Sequence, residues 1–544
     1  MPESKETVTV EKALALGLEH YEAKRLPEAE NVYTQILRKY PNQHVALHML
    51  GLIAYQVNKH DVAIELITKA LKISSNYVDA HNNLGIVLQS SGRQKEAIAS
   101  FNKALAINPE FPAAHNNLGI TNYQLGDVNA AIERYRIAIR IHSSYFDAHL
   151  NLGVALAHIG RLEEAVVSYK NALEIRTDHP ECYNNLGNTF RALGRFEDSV
   201  ECYQRAVELK PDYSEAHNNL GNILRDDNRR HEAISSYRNA LLFDPGFEMA
   251  QHNIGTTLQE LGRMEEAIGA LEKIDTDLSR PALLECIYAC KNTSRFFLEL
   301  NRISKQDKKN VGVAAISAFG SHQFGQPDPY PFCPNSMDFI SAENLIGKNL
   351  IDQEFLITLR QALFDSNLGG GNQSLLHSGF QSAGTLFLEP YGILEELQTI
   401  LKTEIKNYFL NLESRNYPYI KLRPENYILR GWYIVMERGG FLKPHNHPSG
   451  WLSGVLYIKI PEKRNEEANI EFGLHGKDLP ILNLEYPKMI YPVVEGDLIM
   501  FPSSLFHRTL PFQNGDERIC VAFDLMPSEP DKLNNTFKRQ VVGE

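Results

Sequence analysis

Two histidines one residue apart, His445 and His447, sit in the stretch GGFLKPHNHPSGWLSGVLYIKIP that begins at Gly439. In an extended strand the side chains at i and i+2 leave on the same face, so the two imidazoles can meet at one point, a geometry that suits a metal ion. A third histidine, His507, follows FPSSLF, and Arg518 comes after it in GDERICVAFD. The intervening Asn514-Gly515 is a strong short hairpin signal. A two-residue loop there would set His507 opposite Ala522 and put Arg518 on the same face, four residues along the partner strand. At about 3.3 Å per residue its backbone would then stand roughly 13 Å from the histidine row. An arginine reaching back across half that distance leaves room for a five-carbon diacid, with the guanidinium as a carboxylate fork. The bland alternative for all three histidines is a set of surface or hydrogen-bonded side chains.

The elements that must hold these residues are β-strands. After Tyr427 the chain reads as eight short strands (YILRGWYIVME, FLKPH, WLSGVLYIKI, NIEFG, IYPVV, DLIMFP, FHRTLPF and RICVAFDL) separated by Gly, Pro and Asn turns. IDQEFLITLRQALFD and GILEELQTILKTEIKNYFLNLES precede them with helical periodicity. That order predicts an eight-stranded jelly roll with flanking helices. Ser453 and Tyr457 are an even number of positions apart, so both can face the barrel interior and touch a cofactor, with buried core polar groups as the equal alternative. Arg430, Trp432 and Tyr433 are further candidates for the pocket wall. Between the two helices, SNLGGGNQSLLHSGFQSAG is polar, and Gly369-Gly370-Gly371 lacks the Lys-Ser/Thr of a phosphate-cradling loop.

The first half of the chain repeats with a period of 34 from about Val10 to Pro281. Leu-Gly recurs at Leu16-Gly17, Leu50-Gly51, Leu84-Gly85 and onward to Leu220-Gly221. A small residue then a bulky one follow, as in Ala29 and Tyr33, Ala97 and Phe101, Ala165 and Tyr169. Each unit reads as two helices around a turn, and the pattern resembles the tetratricopeptide repeat, which implies a right-handed solenoid with a concave groove. Asn83, Asn117, Asn151, Asn185, Asn219 and Asn253 occupy one column of successive units. Asparagine is a poor interior helix residue, and a carboxamide both donates and accepts. The column resembles that of protein O-GlcNAc transferase arrays, which implies a grip on the backbone of an extended peptide. Inter-helix bonding within the array is the competing account.

HNHPSGWLSGV around His445 and His447, with the later His507 and Arg518, resembles the 2-oxoglutarate and iron(II) dependent oxygenases, in the branch whose first motif reads His-x-His-Pro followed by Ser-Gly-Val. The resemblance spans about Glu343 to Pro527. It implies iron(II) held by His445, His447 and His507, 2-oxoglutarate paired with Arg518, and oxidation of an unactivated C–H bond, with ascorbate as a possible reductant. Most such enzymes carry His-x-Asp, so His447 stands where a carboxylate is usual. Two arrangements stay open: a three-histidine site, or ligation by His445 and His507 alone.

The expected architecture is multidomain α + β. A tail (1–9) precedes the tetratricopeptide solenoid of eight repeats (10–281), capping helices and a packed linker (282–342), the double-stranded β-helix or jelly roll (343–528) and a C-terminal tail (529–544). A formal net charge of -12 argues against generic nucleic-acid binding. No apolar run is long enough to span a membrane and no leader is evident, so the expected location is cytoplasmic. Six cysteines form no disulfide framework; Cys286 and Cys290 lie one helical turn apart, where small buried residues explain them as well as a metal does. The leading function is hydroxylation of a protein or peptide held by the groove. The alternatives are a cupin-type metalloenzyme built on Gly496, Pro502 and His507, or a repeat scaffold whose barrel has decayed. Oligomeric state is not legible.

Overall fold

The computed structural model describes residues 9–366, 368, 370, 375–388, 390–462, 466–476, 479–515 and 517–528. Residues 1–8 of the expected N-terminal tail, the C-terminal tail, Gly369 and Gly371 lie outside them, while Gly370 forms a bridge with Ser382. The chain divides into two compact units that part between Asp227 and Asn228.

The first unit is a run of paired helices from α1 (Val10–Glu22) to α13 (Ser214–Asp226). First helices of a pair have 13 residues and second helices 14, as in Val78–Ser90 and Gln94–Ile107. The Leu-Gly signature has a direct packing cause. A Cβ built on Gly85 would lie 2.4 Å from the Phe101 ring, and on Gly153 2.6 Å from Tyr169. The glycine is therefore a socket for the bulky residue of its own pair, which is fully buried in both cases. The asparagine column runs between pairs. Asn117 donates Nδ2 to Asn82, Asn151 to Asn116 and Asn219 to Asn184, each at 3.0 Å, and Asn83 donates to His48 Nε2 at the same distance. For Asn185 the residue 35 positions earlier is Leu150, which offers no acceptor, and Asn185 makes no side-chain hydrogen bond among the described residues.

The second unit begins with α14 (Arg230–Phe243) and the pair α15 (Glu248–Glu260) and α16 (Met264–Leu271). Three helices follow: α17 (Ser279–Ala289), α18 (Thr293–Gln306) and α19 (Val311–Gln323). The expected packed linker is thus partly a helix, since α19 buries nearly every side chain and shows no amphipathic stripe for a period test to find. Helices α20 (Gln353–Asp365) and α21 (Ile393–Asn411) match the two read from periodicity. Asp352 caps α20 by accepting from Phe355 N, and Leu394, Leu397, Leu401, Ile405 and Tyr408 form the buried stripe of α21.

The strands are β1 (Ser341–Asn344), β2 (Leu376–Gln381), β3 (Tyr427–His445), β4 (Leu452–Lys459), β5 (Ile470–Gly473), β6 (Lys488–Tyr491), β7 (Asp497–Pro502), β8 (Phe506–Thr509) and β9 (Glu517–Pro527). They form one antiparallel sheet in the order β1-β7-β4-β9-β3-β8-β5-β6, with β2 also on β3. The count is nine rather than eight. Two of the expected strands are the halves of β3, which bends with a register shift between Leu442 and His445, while β1 and β2 lie in segments read as linker and polar loop. Ile434, Val455, Tyr457, Phe472, Phe501 and Ala522 are part of its buried core. No helix among the described residues is long and apolar enough to cross a membrane.

Candidate metal centre

The long strand β3 ends at His445, directly opposite His507 of β8, and His447 follows on the turn into β4. One ligand atom from each of the three lies within 4.8 Å of the other two. The asparagine-glycine hairpin is not what brings them together. β8 pairs with β3 and β5, β9 pairs with β3 and β4, and Ala522 faces Trp432 and Val455 rather than His507. β3 lies between β8 and β9 in the sheet, so the chain crosses it after β8 instead of folding back on itself. The reason is β3: both halves of it demand partners, and it takes β8 with one and β9 with the other.

Each imidazole has its Nδ1 committed to an oxygen. His445 Nδ1 donates to Lys443 O at 2.7 Å, His507 Nδ1 to Leu505 O at 3.3 Å and His447 Nδ1 to Asp524 Oδ1 at 2.7 Å. That leaves Nε2 of all three for the shared point. Burial, and then the neighbouring His447, bring His445 down to about 4, and burial with both neighbours holds His507 well below the usual imidazole range. Both rings are therefore neutral near pH 7, the form that binds a cation.

Asp524 was not foreseen. Its place on β9, an even number of residues from Arg518, would have put it on the inner face. It is 7 % exposed and accepts from Ser453 Oγ at 2.7 Å as well as from His447; Ser453 also meets Ser503 Oγ at 2.8 Å. Because Ser453 pairs with Asp524 in register, the histidine row stands at Asp524, six residues from Arg518 and roughly 20 Å along the strand.

Arg518 and the three histidines line one cavity of about 500 Å³, together with Ser453, Tyr457, Arg430 and Trp432. Tyr433 points away from it, with its ring against Phe380. The guanidinium of Arg518 is 1 % exposed and has no carboxylate near it among the described residues. It lies 4.8 Å over the Tyr457 ring, and Nη1 meets only the sulfurs of Met436 and Cys520, both at 3.7 Å. Its Nε and the Tyr457 hydroxyl have no hydrogen-bond partner among the described residues. A buried cation and a buried phenol left this way cost several kcal/mol, about 1–3 per group and more for the charged one, unless a ligand supplies the acceptors. Cys286 and Cys290, by contrast, join no cluster of three potential ligands among the described residues.

Comparison with known proteins agrees with this division. The family described as "Putative 2OG-Fe(II) oxygenase" matches residues 430–524, from Arg430 to Asp524. Models of the tetratricopeptide repeat match residues 14–78 and 216–248, and a further TPR repeat model matches four segments between 87 and 228. No curated protein matches the chain. Among solved structures, the APC/C hetero-tetramer Cut9-Hcn1 is 16% identical over 46% of this chain and 50% of that one, with a TM-score of 0.40, so the match spans half of that chain's length. YrrB, titled a TPR protein with an unusual peptide-binding site, is 20% identical over 34% of this chain and 96% of its own, with a TM-score of 0.31. PilF of Pseudomonas aeruginosa is 20% identical over 38% and 95%, with a TM-score of 0.35.

Proposed function

Since the chain carries tetratricopeptide repeats followed by a 2OG-Fe(II) oxygenase domain, we propose that it is an iron(II)- and 2-oxoglutarate-dependent hydroxylase acting on a residue of a protein or peptide. The observation that carries this reading is the unpartnered Arg518–Tyr457 pair in the same cavity as three imidazoles with free Nε2 atoms. Iron(II) would be held by His445, His447 and His507, and 2-oxoglutarate would set its distal carboxylate on Arg518 Nε and the Tyr457 hydroxyl. Three protein ligands leave three positions for other groups. With dioxygen, the iron and 2-oxoglutarate supply oxidation of an unactivated C–H bond, giving succinate and carbon dioxide.

The chain's own residues do the positioning. Asp524 holds the His447 ring by its Nδ1–H and brings negative charge next to the ligand, a partial stand-in for the carboxylate usual at that place. Ser453 fixes Asp524 in turn. Trp432, with its ring centroid 5.7 Å from that of His447, forms part of the same cavity wall. In the repeats, Asn117, Asn151 and Asn219 give one N–H to the neighbouring pair and keep Oδ1 without a protein donor among the described residues, which suits a polypeptide N–H in the groove. All six cysteines are free, in keeping with a reducing, cytoplasmic setting.

The test is succinate formation by the full chain with iron(II), ascorbate and 2-oxoglutarate. It is expected to disappear in His507→Ala and Arg518→Ala, and unchanged succinate in both variants would sink the proposal. The cupin reading offers no ligand for Arg518, and metal-dependent turnover indifferent to 2-oxoglutarate is the result that would revive it.

A further inference from the structure

A second cavity, of about 740 Å³, lies beside the histidine cavity within the second unit. Asn446, Pro448, Ser449 and Met526 line both, so the turn that carries His447 is the wall they share. The opposite wall is helical: His252, Thr256 and Gln259 come from α15, and Glu285 from α17. That wall is fastened to the segment leading into β6. Tyr288 Oη donates to Pro480 O at 2.5 Å, and Gln323 Oε1 accepts from Leu482 N and Asn483 N at 2.7 and 2.8 Å. Helices α17 and α19 are thus held to the segment that leads into β6.

Its lining has a defined chemistry. Leu278, Leu422 and Ile428 reach it from three separate segments, yet are 50%, 49% and 37% exposed. Asp277, Glu285 and Asp307 line it with Lys309; Arg280 pairs with both aspartates and with Asp275, which Arg302 shares, so four carboxylates meet three cations. Apolar side chains exposed at the rim of an acidic hollow fit a partner that brings aliphatic and basic groups together. Thr256 Oγ1 donates to His252 O and Asn253 O at 3.3 and 3.2 Å, and Gln259 Nε2 to Glu285 Oε2 at 3.3 Å, so the helical wall is held together by its own hydrogen bonds. A free small molecule could be held whole in the 500 Å³ histidine cavity. A residue that belongs to a chain has to bring its neighbours, and they need a second room.

Resting on the oxygenase reading, we infer that this second cavity docks the part of a substrate polypeptide that flanks the oxidised residue, and that it selects an extended segment with Lys or Arg beside an aliphatic side chain. The probes are two degenerate nonapeptide libraries, alike except for a fixed central Lys/Arg or Asp/Glu, passed over the immobilised full chain without iron or 2-oxoglutarate and read by mass spectrometry. The basic library is expected to be retained at least about tenfold over the acidic one, with free lysine or arginine failing to displace it. Retention is expected to fall at least about fivefold in Leu278→Asp and in Asp277→Arg, two solvent-facing positions outside the histidine cavity. Equal retention of both libraries, displacement by the free amino acids, or indifference to both variants overturns the proposal. Retention that appears only after residues 529–544 are removed would make the chain's own end the occupant and overturn it as well. Retention is measured without turnover, so the two readings fail separately. A chain that makes succinate but retains neither library keeps the oxygenase and loses the docking site.

Discussion

The asparagine column of the repeats and the inner end of the histidine cavity both set polar groups inside the protein, and they treat them in opposite ways. In the repeats, Asn117, Asn151 and Asn219 each bond the pair before at 3.0 Å, so the amides serve as a spine. In the cavity, Arg518 Nε and the Tyr457 hydroxyl have no partner among the described residues, in surroundings that make the omission costly. A protein meets its own polar needs where it wants rigidity and leaves them unmet where a ligand is to come. The contrast can be attacked from either side.

The largest effect is expected at the metal. His507→Ala should lower succinate formation by more than about 100-fold, because it removes a proposed ligand rather than a supporting group. Asp524→Asn keeps the shape of the support but not its charge. Iron affinity is expected to fall by about 10–100-fold with little change in melting temperature, and a shift in the visible spectrum of the cobalt(II)-substituted protein would distinguish altered ligation from loss of fold.

Arg518→Met tests the comparison by sign. Removing a buried, unpaired cation should leave the metal-free protein as stable or more stable, by up to about 1–4 kcal/mol in urea, while ending stabilisation by 2-oxoglutarate. A large loss of stability would mean that the guanidinium is structural. In the spine the sign reverses: Asn151→Ala should cost about 0.5–1.5 kcal/mol. Asn185→Ala, which removes no such bond, should cost clearly less, and equal costs would dissolve the idea of a ladder.

The smallest effect is with pH. His48 donates through Nδ1 to Tyr77 Oη at 3.0 Å and accepts from Asn83 through Nε2, and burial brings it down to about 4. The unfolded chain, with an ordinary imidazole near 6.5, therefore binds the proton more readily over that interval. This group's contribution is present in full above about 6.5 and is lost as pH falls towards about 4. Urea midpoints between those limits should slope less in His48→Gln than in the parent.

Much of this was legible in the residues because periodic patterns report periodic structure. Leu-Gly and the bulky residue after it gave the helix pairs, and the even spacing of Ser453 and Tyr457 gave their shared face. The hairpin at Asn514-Gly515 failed because a local turn signal does not register that β3 competes for both flanking strands. Strands β1 and β2 escaped notice because their alternation is weak and their pairing partners lie more than 50 residues away in sequence. Helix α19 escaped because it is buried all round. Asp524 escaped for want of a motif, since a residue that supports a ligand has no spacing of its own to betray it.

The glycine sockets have one further consequence. Gly85 receives Phe101 and Gly153 receives Tyr169, so each helix pair closes upon itself, while the amide bonds reach one pair back with an interval of 35 residues. Excising or duplicating a whole 34-residue cassette would preserve both kinds of join. The length of the array can therefore drift over evolutionary time, like a ruler that gains or loses divisions, with no change demanded of the residues that carry the chemistry.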